Sequence, residues 1–562
     1  MESSGYLLVA SKFSVAPAAL LALIPSAWAQ TPPTSGSTLH EIPSAPVPPK
    51  SIPEVRIERE AGPAVGAADQ TKITVNALHI AGAKVFTEPE LVAAADFKPG
   101  NELTLSDLRI LAAKVADYYH RRGYFLAQSY VPAQEVNEGV VTIDVLEGRY
   151  GQIRLDNESR VSNSLASNLL AGLGGGEAVT IAPLEERLLL LSDLPGASVK
   201  STLVPGASVG SSDLIVELAP GRFVSGSVDA DNEGNRYTGA KRVGLTVNLN
   251  EPTGHGDAAT FRAMSSGPEL EYGRLAYQAQ FDRGRFGIAY ADMKYRLGEQ
   301  FNVLQAHGSA RIGSLYASYP LIRSRGASLY AVLDFDGKAF EDRQDATGSL
   351  TDKKIWVGMA SINGDRHDSL LGGGVDNYSL TFTWGNLDIV SPAALAADAP
   401  VASNGHYGKL SLSAARLQTV TDKFFLYGAV NGQLPSKNLD ISEKMELGGA
   451  AAVRAYPEGE AFGDRAYVAT LEAREVVPGL GVSQPGQVQI VEFIDNGTVS
   501  INKSPWLVGP NRKELSAAGL GAIWSGASYT VKTYLAHKLG DAVALSAPDA
   551  KYRFWIQGIK YF

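Results

Sequence analysis

The chain contains no cysteine in 562 residues. That absence excludes a disulfide framework, thiol catalysis and Cys-ligated zinc. It also suits a chain that crosses an oxidising compartment without mispairing. A basic excess is missing as well: 50 Lys and Arg face 59 Asp and Glu, a formal charge of −9. A dedicated nucleic-acid binder carries the opposite balance. No segment beyond the N-terminus reaches 18 apolar residues free of charge, so helical membrane spans are not expected. The sequence has no G-x-x-x-x-G-K-[ST], no H-E-x-x-H and no EF-hand loop. Its eight His are scattered, and no Asp/Glu pair stands out as general acid and base. Gly206-Ala207-Ser208-Val209-Gly210 fits G-x-S-x-G, but it joins two strand-like segments, whereas a nucleophile elbow joins strand to helix. It reads as a hairpin turn. No catalytic residue, cofactor or metal is expected. What the chain has in quantity is glycine, 58 residues, which favours many turns over long helices.

The N-terminus reads as an address. Phe13 to Pro25 is a short apolar run after Lys12, and Ala27-Trp28-Ala29 has the small-x-small pattern of a signal-peptidase site. Residues 1–29 are therefore expected to be a signal peptide. Residues 30–69 follow as a linker. Pro32, Pro33, Pro43, Pro46, Pro48, Pro49 and Pro53 argue against a continuous helix or a paired strand, so a partly polyproline II spacer is expected.

Two mixed units come next, at 70–148 and 149–221. In the first, Ile73–Ile80 is β-rich and Thr87 with Glu90 opens a short helix. Thr104 and Asp107 open a longer one, with Leu108, Leu111, Ala112, Val115, Tyr118 and Tyr119 on one face. Arg121, Arg122 and Gly123 close it. Strands are expected at Tyr124–Val131 and Val140–Glu147. The second unit repeats the β-α-α-β-β order about 73 residues later, which means tandem domains and not a solenoid. This order, the segment Tyr118-Tyr119-His120-Arg121-Arg122-Gly123-Tyr124, and Asp193-Leu194-Pro195-Gly196 through Val204-Pro205-Gly206 resemble tandem POTRA (polypeptide-transport-associated) domains.

From Arg222 the pattern changes to alternation. Val243, Leu245, Val247 and Leu249 alternate with polar or small residues, as do Leu275, Tyr277, Ala279 and Phe281, and Tyr378, Leu380, Phe382 and Trp384. Such dyads give each strand one apolar face. They persist to the end of the chain, and a closed lipid-facing barrel is the economical arrangement because it leaves no edge. Sixteen strands would use roughly 21 residues per strand and connection over 222–562. The chain ends on Phe562 after an aromatic strand, which resembles the signal read by the outer-membrane assembly machinery.

Two short motifs add specificity. Val453-Arg454-Ala455-Tyr456-Pro457-Glu458-Gly459-Glu460, followed by Gly463-Asp464, resembles the in-folded loop of two-partner secretion transporters (haemolysin secretion/activation proteins). The family has Gly at the position of Ala455. Phe493-Ile494-Asp495-Asn496-Gly497 resembles the matching barrel-wall motif, with Phe493, Asp495 and Gly497 on the lumen face. The resemblance implies that Arg454 pairs with Asp495. It also implies sixteen strands, two POTRA domains and export of a large β-rich partner protein across the outer membrane. An N-terminal plug helix, frequent in the family, is not legible: His40–Pro53 is too rich in Pro, and Glu54–Ala61 is the short segment left that could be helical. Contacts to the exported partner are expected at Leu108, Leu111, Tyr118, Tyr124, Phe125 and Tyr130. The alternatives are an outer-membrane assembly factor of the same superfamily and a passive solute porin.

Overall fold

The computed structural model describes residues 32–47, 54–57, 71–478 and 486–562. The signal-peptide reading of 1–29 lies outside them. Among the described residues no helix is long and apolar enough to cross a membrane.

The first α/β unit shows why its sequence folds locally. Thr104 and Asp107 cap the helix Leu105–Arg121 reciprocally: the Thr104 hydroxyl accepts from the Asp107 N–H, and the Asp107 carboxylate accepts from the Thr104 N–H. Leu108, Leu111, Ala112, Val115 and Tyr119 form the buried face of the helix. They pack on Val141, Ile143 and Val145 of the strand Val140–Leu146. Gly123, at φ +91°, ends the helix in the left-handed region where a side chain is disfavoured. The sheet order is Ala77–Ala81, Val140–Leu146, Gln128–Tyr130.

The strand expected at Tyr124–Val131 is shorter, Gln128–Tyr130. Tyr124 and Phe125 belong instead to the turn after the helix, because Tyr124 stacks edge-on against Phe86 and Tyr119. Phe125 packs against the core of the second unit.

That second unit has helices Asn163–Leu170 and Ile181–Ser192 over strands Arg149–Asn157, Ala197–Pro205 and Ser211–Pro220. Gly206–Gly210 is the turn between the last two, which pair antiparallel.

Sixteen strands then close into one antiparallel barrel, from Val224–Asp231 to Tyr552–Tyr561, which pair with each other. Alternation explains the closure. Leu275, Phe382 and Trp384 are 61%, 57% and 62% exposed on the outside, while Thr246, Gln280 and Thr383 are buried on the inside. A continuous apolar exterior of this extent is the surface a bilayer covers. Several strands exceed the membrane's need; Ser349–Asp368 has 20 residues, so its far end projects beyond the hydrocarbon.

The linker reading needs two corrections. Ser35–His40 is a helix, and Glu54–Ile57, part of the segment Glu54–Ala61 that could be helical, is a strand paired in parallel with Ala197–Pro205. The helix forms in the gap between Pro33 and Pro43. There Thr34 and Ser37 make a capping box, satisfying two N–H groups that would otherwise be orphaned. The strand starts directly after Pro53, where no further proline interrupts pairing.

Glu147 joins the two α/β units. Its buried carboxylate accepts from the Lys84 and Val85 N–H groups at 2.6 Å each, from the Tyr119 hydroxyl, and from Arg149 at 2.5 Å. Burial alone would raise its pKa; the two backbone donors, Arg149 and Tyr119 outweigh burial and hold it below the usual carboxylate range. A depressed folded-state value stabilises above about pH 4.5 and loses that contribution as pH falls through it. Glu147→Gln therefore removes about 1–3 kcal/mol of local stability. Hydrogen exchange of the Lys84 and Val85 amides in the full-length protein should quicken at neutral pH, and the difference from wild type should shrink on acidification.

Candidate functional site

The long connection 436–464 between the strands Phe424–Pro435 and Arg465–Val477 turns into the barrel. Its stem is a short pair, Met445–Glu446 with Phe462–Gly463. Asp464, fully buried, clamps the base: it accepts from the N–H of Leu439 and of Lys503 and pairs with Lys444 at 3.0 Å. Beyond the stem, Gly449 N–H donates to the Tyr456 carbonyl and Tyr456 N–H to the Val453 carbonyl, so the tip is a compact turn.

That turn presents Arg454 to the wall strand Gln487–Ser500. Arg454 Nε and Nη2 grip Asp495 at 2.9 and 2.7 Å, and the Arg454 N–H adds a third bond at 3.2 Å. Nη1 reaches Glu472 at 2.7 Å, whose second oxygen takes Arg474. Two guanidinium groups thus meet two carboxylates, all but Arg474 nearly free of solvent. The Arg454 fork lies 3.5 Å from the Phe493 ring centre and 4.8 Å from that of Tyr534, using the ring faces as well as the oxygens. Thr470 donates to Asp495, and the Trp555 indole N–H donates to the Arg454 carbonyl at 2.7 Å.

The rest of the motif packs around this pair. Val453, Ala455, Tyr456 and Pro457 are buried. Ala455 stands at a negative φ, so Ala fits where the family has Gly; the left-handed positions are Gly449 and Gly459, at +100° and +74°. Glu458 turns back over Gly449, and its carbonyl accepts from Asn235 and Ser546. Glu460 holds the Leu545 and Ser546 N–H groups and Lys513. Gly463 lies tight against Val499, and a Cβ at Gly497 would sit 2.3 Å from Leu447; the wall motif needs glycine there for the loop to approach.

Glu472, Arg474, Thr470, Tyr534 and Trp555 were not singled out from sequence. The legible signal was their strand parity: Leu471 and Phe554 face outward, so 470, 472, 474 and 555 face the lumen.

A second lumen element lies beside the loop. The helix Ser35–His40 donates its Ser35 N–H to Asp342 at 2.7 Å, and His40 Nε2 lies 3.2 Å from the Ile441 carbonyl. Arg242 and Thr238 hold Glu41. A cavity of about 250 Å³ remains between helix and loop, bordered by Ser37, Glu41, Asn235, Lys444 and Lys513. Among the described residues, no cluster of His, Asp and Glu has the arrangement of a metal site.

The residues expected to touch a partner on the first unit do not form one surface. Leu108 and Leu111 are 3% and 8% exposed in the unit's core. That corrects their assignment, since the amphipathic face of the helix is its inner face. Tyr118 is covered by Arg122, 3.5 Å from the ring centre. Tyr130, 44% exposed on an edge strand, is open.

An apolar-walled barrel with an inward loop, a lumen helix and α/β units at one end defines a class: outer-membrane transporters with periplasmic POTRA domains. Comparison supplies the family. A POTRA domain model of ShlB type matches residues 73–148, and the model of haemolysin secretion/activation protein ShlB/FhaC/HecB matches 210–522. The chain belongs to that haemolysin secretion/activation family and is an outer-membrane pore that exports a partner protein. It is 29% identical to the heme/hemopexin transporter protein HuxB of Haemophilus influenzae, over 82% of both chains. It is 24% identical to outer membrane transporter CdiB of Escherichia coli, over 84% of this chain and 78% of that one. The solved structure of CdiB from Escherichia coli matches with a TM-score of 0.68 at 20% identity, covering 90% and 93% of the two chains.

Removing Arg454 strands the buried Asp495 and leaves Glu472 to Arg474 alone. Breaking such a pair costs on the order of 3–5 kcal/mol, less where water enters. Arg454→Lys keeps the charge but not the fork, so it should open the loop partly and Arg454→Ala further. Protease cleavage within 447–459 in outer-membrane vesicles should rise in that order, with heat-modifiable gel mobility unchanged because strand pairing holds the barrel.

Proposed function

We propose that this transporter captures a large, β-rich partner in extended form at the first α/β unit. The partner then passes along a lumen shaped by the Arg454–Asp495–Glu472 lock, and the helix Ser35–His40 blocks the route at rest. The observation that carries this reading is the charge-balanced grip of the loop tip on the wall. A loop that merely lined a pore would gain nothing from desolvating two carboxylates, whereas a loop that must hold one position against a moving chain needs such an anchor.

Capture fits the edge of the first unit. The strand Gln128–Tyr130 is the outer strand of its sheet, with Tyr130 exposed. An extended segment can pair there main chain to main chain, with side chains setting specificity. The periplasm offers no ATP, so folding of the partner outside the cell supplies direction. During biogenesis the assembly machinery reads the terminal strand. Phe562 supports this, since its main chain exchanges two hydrogen bonds with Gly226 at the seam of the barrel.

Deleting residues 73–148 should abolish release of the partner while the barrel still inserts; unimpaired release would remove this unit from recognition. Arg454→Ala should stop transport at normal outer-membrane levels. The swap Arg454→Asp with Asp495→Arg should restore part of it, since the pair is rebuilt with altered fork geometry. Normal secretion by Arg454→Ala would show that the lock has no essential role.

A further inference from the structure

The loop lock has a back side. Glu472 and Phe493 face the lumen, so their strand neighbours Leu471, Ala473, Glu492 and Ile494 face the bilayer. Two register rows cross four strands there. One runs Arg416, Gly428, Leu471, Ile494, and the other runs Gln418, Leu426, Ala473, Glu492. Gly428 has no side chain and Ala473 a short one, and they sit diagonally across adjacent strands. The wall is hollowed at that point. The hollow has a volume of about 590 Å³ and opens on the lipid-facing side, with Leu426, Leu471 and Ile494 as its apolar flanks.

The two charged borders of the hollow differ. Arg416 is satisfied: it pairs with Asp368 and Asp376 and donates to Gln418. Glu492 is exposed, and among the described residues it has neither a hydrogen bond nor an ion pair. Its register neighbours Ala473 and Leu520 are apolar, as are Ile490 and Ile494 on the same face of its own strand. A carboxylate in such a setting takes its cation from outside the chain. Gln418 is the second-last residue before the periplasmic end of its strand, and Glu492 is the sixth residue of Gln487–Ser500, which starts at that end. In a tilted wall that is about 13 Å above the periplasmic end. The hollow therefore lies in the periplasmic half of a core about 30 Å thick, with the Glu492 side chain free to reach back toward the headgroups.

We propose that this hollow binds a phospholipid whose headgroup carries a primary ammonium. The ammonium donates to the Glu492 carboxylate, and one acyl chain fills the space over Gly428 and Ala473. A primary ammonium brings three N–H donors and a full charge into contact. A quaternary ammonium brings no donor, and an anionic headgroup without an amine meets a like charge. The bound lipid packs on the outside of the strands whose inside carries Glu472, Phe493 and Asp495. Its binding does not depend on transport.

The probe is dioleoyl phosphatidylethanolamine with a photoreactive group in one acyl chain, added to full-length protein in detergent micelles, with the labelled peptides mapped. Labelling should concentrate on 424–430 and 469–475. Unlabelled phosphatidylethanolamine should suppress it about threefold better than phosphatidylcholine or phosphatidylglycerol with the same chains. Glu492→Gln should cut the labelling about threefold or more. Ala473→Leu, which fills the hollow and keeps the carboxylate, should cut it as well. Glu492→Lys should turn the preference to phosphatidylglycerol, an inversion that a misfolded barrel does not produce. Heat-modifiable gel mobility checks that each variant is folded. Label spread evenly round the wall, equal suppression by the three lipids, or unchanged labelling of Glu492→Gln would overturn the site. Glu492→Lys without the inversion would overturn the pairing of headgroup and carboxylate. Full labelling of Ala473→Leu would overturn the hollow as the seat of the acyl chain.

Discussion

A guanidinium taken out of water must find an acceptor for each of its donors, and a carboxylate on a barrel's inner wall must find a cation or water. Arg454 and the pair Asp495 and Glu472 answer each other's requirement. Much of the lumen follows from this. The loop 436–464 must enter the barrel to deliver Arg454. Gly497 must lack a side chain so that Leu447 can come close. Phe493, Tyr534 and Trp555 wall the site so that the charges meet in a low-dielectric space. Arg474 must be present, because one guanidinium would leave a net negative charge buried with it.

The lock also orders what lies beyond it. Asp464 at the loop base holds Lys503 of a neighbouring far-side loop, and Glu460 holds Leu545 and Ser546 of another. The lumen helix rests on the same loop through Ile441 and Ser442, where a Cβ on Gly36 would sit 2.9 Å from Ser442. Helix, loop and far-side connections thus form one packed assembly.

The barrel was legible because period-2 alternation is a direct imprint of a wall with lipid on one side and water on the other; Tyr378 to Trp384 states it in seven residues. The first α/β unit was legible through its caps, Thr87 with Glu90 and Thr104 with Asp107. Proline misled where it was counted and not spaced. Ser35–His40 lies in a gap wide enough for a capped turn and a half, and its burial among lumen residues could not be read from a segment of Ser, Gly and Thr. Leu108 and Leu111 misled in the opposite sense. An apolar helix face marks a core more often than a docking groove, and here it packs on the unit's own sheet. Arg454 and Asp495 were approachable because short motifs named them. Glu472 was not, since a lumen charge in a strand looks like any solvated one until the cation that faces it is placed.

The central claim is that Arg454 and Asp495 act as one unit in holding the loop. A double-mutant cycle with Arg454→Ala, Asp495→Ala and both, read as hydrogen exchange of the amides in 447–459, tests this directly. The account predicts that the double variant opens the loop about as much as either single one, so that the coupling is about as large as the cost of a single change. Effects that simply add would contradict it: the two residues would then hold the loop independently, and the lock would not exist as a pair.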